Sequence, residues 1–189
     1  MEKTMLEHPD VYVGFPTPLA LVTTADKEGK GNILTIAWAG IVSSEPAMAS
    51  ISMRRGKLSY HLIKAGGDFV INVPTADLVK ATDYCGSVSG KNVDKWADAH
   101  LTPVPASKVK APLIAECPIN LECVIRHTLN LGSHDCFISE IVAIHADAAI
   151  LKDGKLIGPS VHPLVYFGRD YWALGSERLA GKGVGMPKP

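Results

Sequence analysis

The chain has 189 residues, with 19 Lys and Arg against 19 Asp and Glu, so its formal net charge is zero. That length suits a single domain, 1–189, with a core large enough to stand without staples. The charge balance argues against a general affinity for nucleic acid or anionic membrane. No apolar run approaches the roughly 20 residues that a spanning helix needs, and the N-terminal MEKTMLEHPD has no apolar leader core. The four cysteines, Cys85, Cys117, Cys123 and Cys136, form no C-x-x-C pair. They are expected to be reduced, buried small hydrophobes in a cytoplasmic protein.

In chain order, Leu19–Thr24 is apolar and β-branched and predicts a strand. Asp26 to Lys30, with Gly29, is a turn signal, and Asn32–Ile41 is expected to return as one hairpin arm. Glu45-Pro46 breaks the chain. Ala47–Met53 alternates, placing Ala47, Ala49, Ile51 and Met53 on one face. Leu58, Leu62, Ile63 and Ala65 suit a short helix, with Ser59 as its cap and Gly66-Gly67 as its end. Phe69–Val73 predicts a strand closed by Pro74, Thr75–Tyr84 a helix, and Asp94–Ala99 a further short helix. Leu101–Pro118 holds four prolines and reads as an irregular connection. Ile119–Leu129 and Cys136–Ile150 predict two long strands joined by NLGSHD. Asp153-Gly154 marks a turn, Leu164–Phe167 is the last clear strand, and the tail GKGVGMPKP is expected to be mobile. Strands joined by tight turns outnumber helices. The fold class is therefore mainly β (α+β), an antiparallel barrel with a few short peripheral helices.

The chemistry-bearing motifs are few. GSVSGKN at Gly86–Asn92 fails as a phosphate loop: three residues rather than four separate its glycines, and Asn92 replaces the magnesium-binding hydroxyl. It reads as a surface loop whose Lys91 could meet an anion. The seven histidines show no metal-binding spacing, and no G-x-S-x-G elbow is present. His134, in the loop between the long strands, is placed where a residue can overlook a pocket. Such a chain either only binds a ligand or takes its chemistry from a cofactor. Arg54-Arg55-Gly56-Lys57 lies between a strand ending near Ser52 and a helix starting near Ser59. A basic loop leading into a helix suits a phosphate, while a solvated charge cluster is the plain alternative.

In order along the chain stand FPTPLALVTT, then Asn32-x-x-Thr35-x-x-Trp38, SSEPAMASISMRR, Ser59-x-x-x-Ile63, FVINVP, CGSVSGKNVDKW and GSHDCFISEIVAIH. The whole resembles the flavoredoxin and flavin reductase-like family of FMN-binding split barrels, from about Tyr12 to Leu174. The resemblance implies a homodimer with one FMN per subunit. Asn32, Thr35, Ala37 and Trp38 would run beside the flavin. Its phosphate would lie near Ser52, Arg54, Lys57 and Ser59, with Ser89 and Lys91 as further contacts. His134 would stand near the flavin or nicotinamide as the catalytic candidate, with Ser133 where related reductases often carry Asp. The implied activity is FMN-linked redox chemistry with NADH or NADPH as donor. The alternatives are a flavoredoxin-type carrier fed by an iron–sulfur protein, a non-catalytic flavin binder, or a barrel with no flavin.

Overall fold

The computed structural model describes residues 3–5, 15–157, 161–175 and 177. Along the described residues run β1 (Thr17–Pro18), β2 (Ala20–Ala25), β3 (Gly31–Ile36), β4 (Ala39–Ser44), β5 (Ala47–Met53), α1 (Leu58–Gly66) and β6 (Asp68–Asn72). A 3-10 turn, Ala76–Leu78, leads into α2 (Val79–Ser87), followed by α3 (Lys95–Asp98), β7 (Pro103–Val104) and β8 (Leu113–Ile114). The long strands β9 (Ile119–Asn130) and β10 (Asp135–Ala146) come next. The short hairpins β11 (Leu151–Lys152) with β12 (Lys155–Leu156), and β13 (Leu164–Phe167) with β14 (Asp170–Ala173), complete the chain order.

Seven antiparallel strands form the main sheet in the order β3-β2-β6-β9-β10-β5-β4. Its two outer strands, β3 and β4, are consecutive in the chain and are joined only by Ala37 and Trp38. The backbone N–H of Ser52 on β5 donates to the Trp38 carbonyl at 2.8 Å, tying the join to β5. The sheet thus curls into the split barrel expected from the sequence. The single arm expected over Asn32–Ile41 is instead two strands. Pairing to β2 ends at Ile36, and pairing to β5 begins at Ala39.

The alternation rule explains how the barrel fills. Ala20, Val22, Leu34, Ile36, Ile51, Phe69 and Phe137 turn inward into one core cluster. Leu21 and Ile33 turn to the other face and pack with Cys85, Leu101, Ile114 and Cys117. β2 is buried along its whole length, which is why it reads as a continuous apolar run rather than an alternating one. Cys85, Cys117 and Cys123 are buried as expected, and Cys136 is half-buried.

Several local expectations change. Ser59 is not the cap of α1: Lys57 holds that position without a side-chain hydrogen bond, and Ser59 lies buried within the helix. The helix ends as expected, with Gly67 at φ 80° donating its N–H to the Ile63 carbonyl at 2.8 Å. α2 runs on through Ser87, so the first residues of GSVSGKN are helical rather than loop. The irregular connection carries the short pair β7–β8, and a second arm, β14, follows the expected last strand. The tail GKGVGMPKP lies outside the described residues. Among the described residues, no helix is long and apolar enough to cross a membrane.

Candidate functional site

Two adjoining cavities lie on the outer face of the barrel where β3 gives way to β4. The first, about 430 Å³, is bounded by Asn32, Arg54, Lys57, Ser59, Ser89 and Lys95, among others. The second, about 390 Å³, is bounded by Thr35, Ala37, Trp38, Ser52 and His134. Leu34, Arg54, Lys57 and Ser87 border both. Volumes of this size suit a small-molecule site. Every site residue named from the sequence borders one cavity or the other except Lys91. That side chain faces a neighbouring hollow of about 710 Å³, beyond Gly90 and Lys95.

The polar residues of β3 dock the surrounding helices. Asn32 Nδ2 donates to Ser59 Oγ of α1 at 2.8 Å, and Thr35 Oγ1 donates to the Thr82 carbonyl of α2 at 2.5 Å. The Thr35 hydroxyl hydrogen and one of the two Asn32 amide hydrogens are thus committed within the protein. The second Asn32 amide hydrogen, Asn32 Oδ1 and the Ser59 O–H are what these groups can still offer to a ligand. Gly90 brings the following loop against the same strand, since a Cβ there would fall on Asn32 Oδ1. Any larger residue would have to displace the Asn32 amide from Ser59 or push that loop off β3.

Charge gathers on the first cavity. Arg54 and Lys57 border it, and neither has an ion pair among the described residues. Lys95 is only 3% exposed. Its Nζ donates to the Ile33 carbonyl at 2.8 Å and the Cys85 carbonyl at 2.6 Å, with no carboxylate in reach. Burial holds its pKa below the usual lysine range. Burial also pushes the neighbouring Cys85 thiol up to about 11, so that sulfur stays protonated. Buried cations normally have an anionic partner. Here buried Lys95 faces the cavity together with the exposed Arg54 and Lys57, and an anionic group such as a phosphate fits the three.

The second cavity is walled differently. His134 lies with Nδ1 2.8 Å from Ser133 Oγ. Burial, and then the charge of Arg54, hold its pKa below the ordinary histidine value, so the ring is neutral at pH 7. Opposite stand Tyr166 and Tyr171, whose ring centroids are 5.5 Å apart. Tyr171 donates its O–H to Asp83 of α2 at 2.7 Å. Burial and that carboxylate keep the phenol protonated.

The sequence profile of the flavin reductase-like domain matches residues 12–175. The chain belongs to this family. Flavoredoxin of Desulfovibrio vulgaris (Miyazaki F) superposes on this flavin reductase-like chain with a TM-score of 0.88 and 36% identity, covering 97% of this chain and 99% of that one. A flavoredoxin from Methanosarcina acetivorans gives a TM-score of 0.83 and 29% identity, over 98% of this chain and 97% of that one. An uncharacterized protein of Archaeoglobus fulgidus is 34% identical over 155 residues, covering 79% of this chain and 85% of that protein. Family and fold point to flavin-related redox chemistry.

Sequence reasoning missed Lys95, Ser87, Gly90 and the Tyr171–Asp83 wall of this flavin reductase-like site. Lys95 sits in the charged stretch NVDKW and has the look of a solvated side chain. Only the packing of α3 on β3 and α2 buries it. Tyr171 belongs to β14, a strand of four residues, DYWA, too short to show an alternating pattern.

Proposed function

We propose that this chain is an FMN-dependent oxidoreductase of the flavin reductase type, drawing electrons from NADH or NADPH. The observation that carries the reading is the convergence of Arg54, Lys57 and the carboxylate-free, buried Lys95 on a cavity that opens into a second, aromatic-walled one. Arg54, Lys57 and the Ser59 O–H would hold the phosphate, with Ser89 at its rim. Lys95 would supply charge from beneath. The small residue Ala37 lets the chain at the β3–β4 turn come close to a flat ring, with Trp38 beside it. FMN, when bound, supplies a ring able to accept a hydride or single electrons. His134, neutral and held by Ser133, would orient the donor over that ring. Tyr171, fixed by Asp83, closes the opposite side of the cavity against water.

Titration with FMN and riboflavin tests the anion assignment. A charged hydrogen bond is worth about 1.5–3 kcal/mol, so Arg54→Ala is expected to weaken FMN roughly 10- to 150-fold and to spare riboflavin. Equal affinities of the wild type for FMN and riboflavin overturn the reading.

The similarity to two flavoredoxins over nearly the whole chain supports a second reading. In it, the flavin is an electron carrier reduced by an iron–sulfur protein. Anaerobic bleaching by NADH, NADPH or a reduced iron–sulfur protein, each tried alone, separates the two. We also propose a twofold homodimer. β4, the last strand of the main sheet, leaves Ile41 67% and Val42 52% exposed, an apolar edge that a second copy would cover.

A further inference from the structure

We infer that Asp135 is a positioning residue: one carboxylate clamps both ends of the anion-facing segment Gly56–Ser59 and ties that segment to His134. The inference rests on the flavin reading given above and concerns how its anion subsite is built. Gly56, Lys57, Leu58 and Ser59 all border the first cavity. The residues immediately flanking them, Arg55 and Tyr60, border neither cavity. Both turn instead to Asp135. Arg55 donates through Nε at 3.0 Å and Nη2 at 2.7 Å to Asp135 Oδ1. Tyr60 donates its O–H to Asp135 Oδ2 at 2.7 Å. The two carboxylate oxygens are divided between the two ends of the segment.

Asp135 itself is fixed. It is 5% exposed and pairs with Met53 where β10 meets the end of β5. Phe137, two residues on and on the same face of β10, is in the barrel core, and the Tyr60 ring lies 5.7 Å from it. Neighbours in an extended chain turn to opposite faces. At the start of β10 this sets His134 opposite Asp135, and His134 and Arg54, the chain neighbour of Arg55, both border the second cavity. Arg54 lies near enough for its charge to act on His134. The Arg55–Asp135 pair accordingly sets two distances it does not touch: that between the cationic segment and an anion, and that between Arg54 and His134. Positioning groups must hold a site to about half an ångström, and a carboxylate shared by a loop, a helix and a strand meets that need.

The test uses Asp135→Asn, with Tyr60→Phe as a milder variant that keeps the Arg55 contact. Flavin fluorescence quenching gives the affinities for FMN and riboflavin. Backbone amide exchange is read at Lys57 and Tyr60, whose N–H groups donate to the Arg54 and Lys57 carbonyls and close the segment. In Asp135→Asn, FMN is expected to weaken by about tenfold or more while riboflavin is unchanged. Exchange at Lys57 and Tyr60 should quicken while β9 stays protected, and Tyr60→Phe should show the same pattern at smaller size. In a Lys57→Ala background most of the FMN effect should vanish. Equal weakening of FMN and riboflavin, unchanged FMN affinity, or unchanged exchange at Lys57 and Tyr60 overturns the clamp. A wild type that binds neither flavin overturns the flavin reading alone, because the exchange measurement needs no ligand.

Discussion

Lys95 presents an energetic problem that its neighbours only half solve. Two carbonyl oxygens accept from its ammonium, yet no carboxylate balances the charge. Lys95→Met is therefore expected to cost FMN affinity on the scale of a charged hydrogen bond, roughly 10- to 150-fold, with riboflavin largely unaffected. Isothermal titration with both ligands checks this, and equal losses would show that the variant has disturbed the pocket as a whole. His134 carries a separate expectation. Because its ring is neutral at pH 7, it can orient a donor without placing a second cation beside Arg54. His134→Ala should keep its flavin yet be reduced by NAD(P)H roughly 100-fold more slowly in anaerobic stopped flow. An unchanged rate would leave it a loop residue. At this scale the sequence was informative where chemistry and spacing coincide, as in Arg54, Lys57 and Asn32-x-x-Thr35-x-x-Trp38. It was silent where a role depends on burial. Lys95 and Asp135 look like ordinary surface charges until α3 and the start of β10 are packed.

Glu122 on β9 shows how one side chain can order an element that carries no local signal. Its fully enclosed carboxylate accepts from Ser107 N and Oγ at 2.8 Å each, from Lys108 N at 2.6 Å and Val109 N at 3.1 Å, and meets His145 Nε2 at 2.5 Å. Burial alone would raise its pKa, but these hydrogen bonds outweigh that and bring it down to about 2. A depressed carboxylate contributes stability that is complete above its unfolded pKa, near 4.5, and that fades as pH falls towards 2. Glu122→Gln should cost about 3 kcal/mol at neutral pH. Denaturation of both proteins from pH 7 down to pH 3 checks this: the gap should narrow as acid is added. The proline-rich stretch read as irregular for a physical reason. Its order comes from side chains elsewhere in the fold, Glu122 on β9 and Asp68 and Asn72 on β6, not from its own propensities. The same holds for the break after Ile36. Neither Ala37 nor Trp38 breaks a strand; the change of partner from β2 to β5 does.

For the molecule as a whole, the alternating and continuous apolar runs made the barrel readable, because each records which faces of a strand are covered. Which strands end as the two edges was not readable, since that depends on pairing partners distant in the chain. Nor could the aromatic wall formed by the β13–β14 hairpin be foreseen from strands so short. The proposed dimer belongs to this scale. Sedimentation across a dilution series should give a dimer at micromolar protein, and Ile41→Lys should shift it towards monomer. A clean monomer of the flavin-loaded wild type would contradict the assembly.

The two-residue join at Ala37–Trp38 also bears on where this chain could be cut. A break at the Asp26–Lys30 turn would interrupt only a hairpin tip, and a chain opened there should still carry the pocket. Termini opened between Ala37 and Trp38 would free both outer strands of the seven-stranded sheet at once. The result would be two loose strand ends at edges already open to pairing with other chains, in place of the wall on which the site is built. The short join thus makes the covalent chain itself part of the rim, and recombination or domain insertion should spare that point.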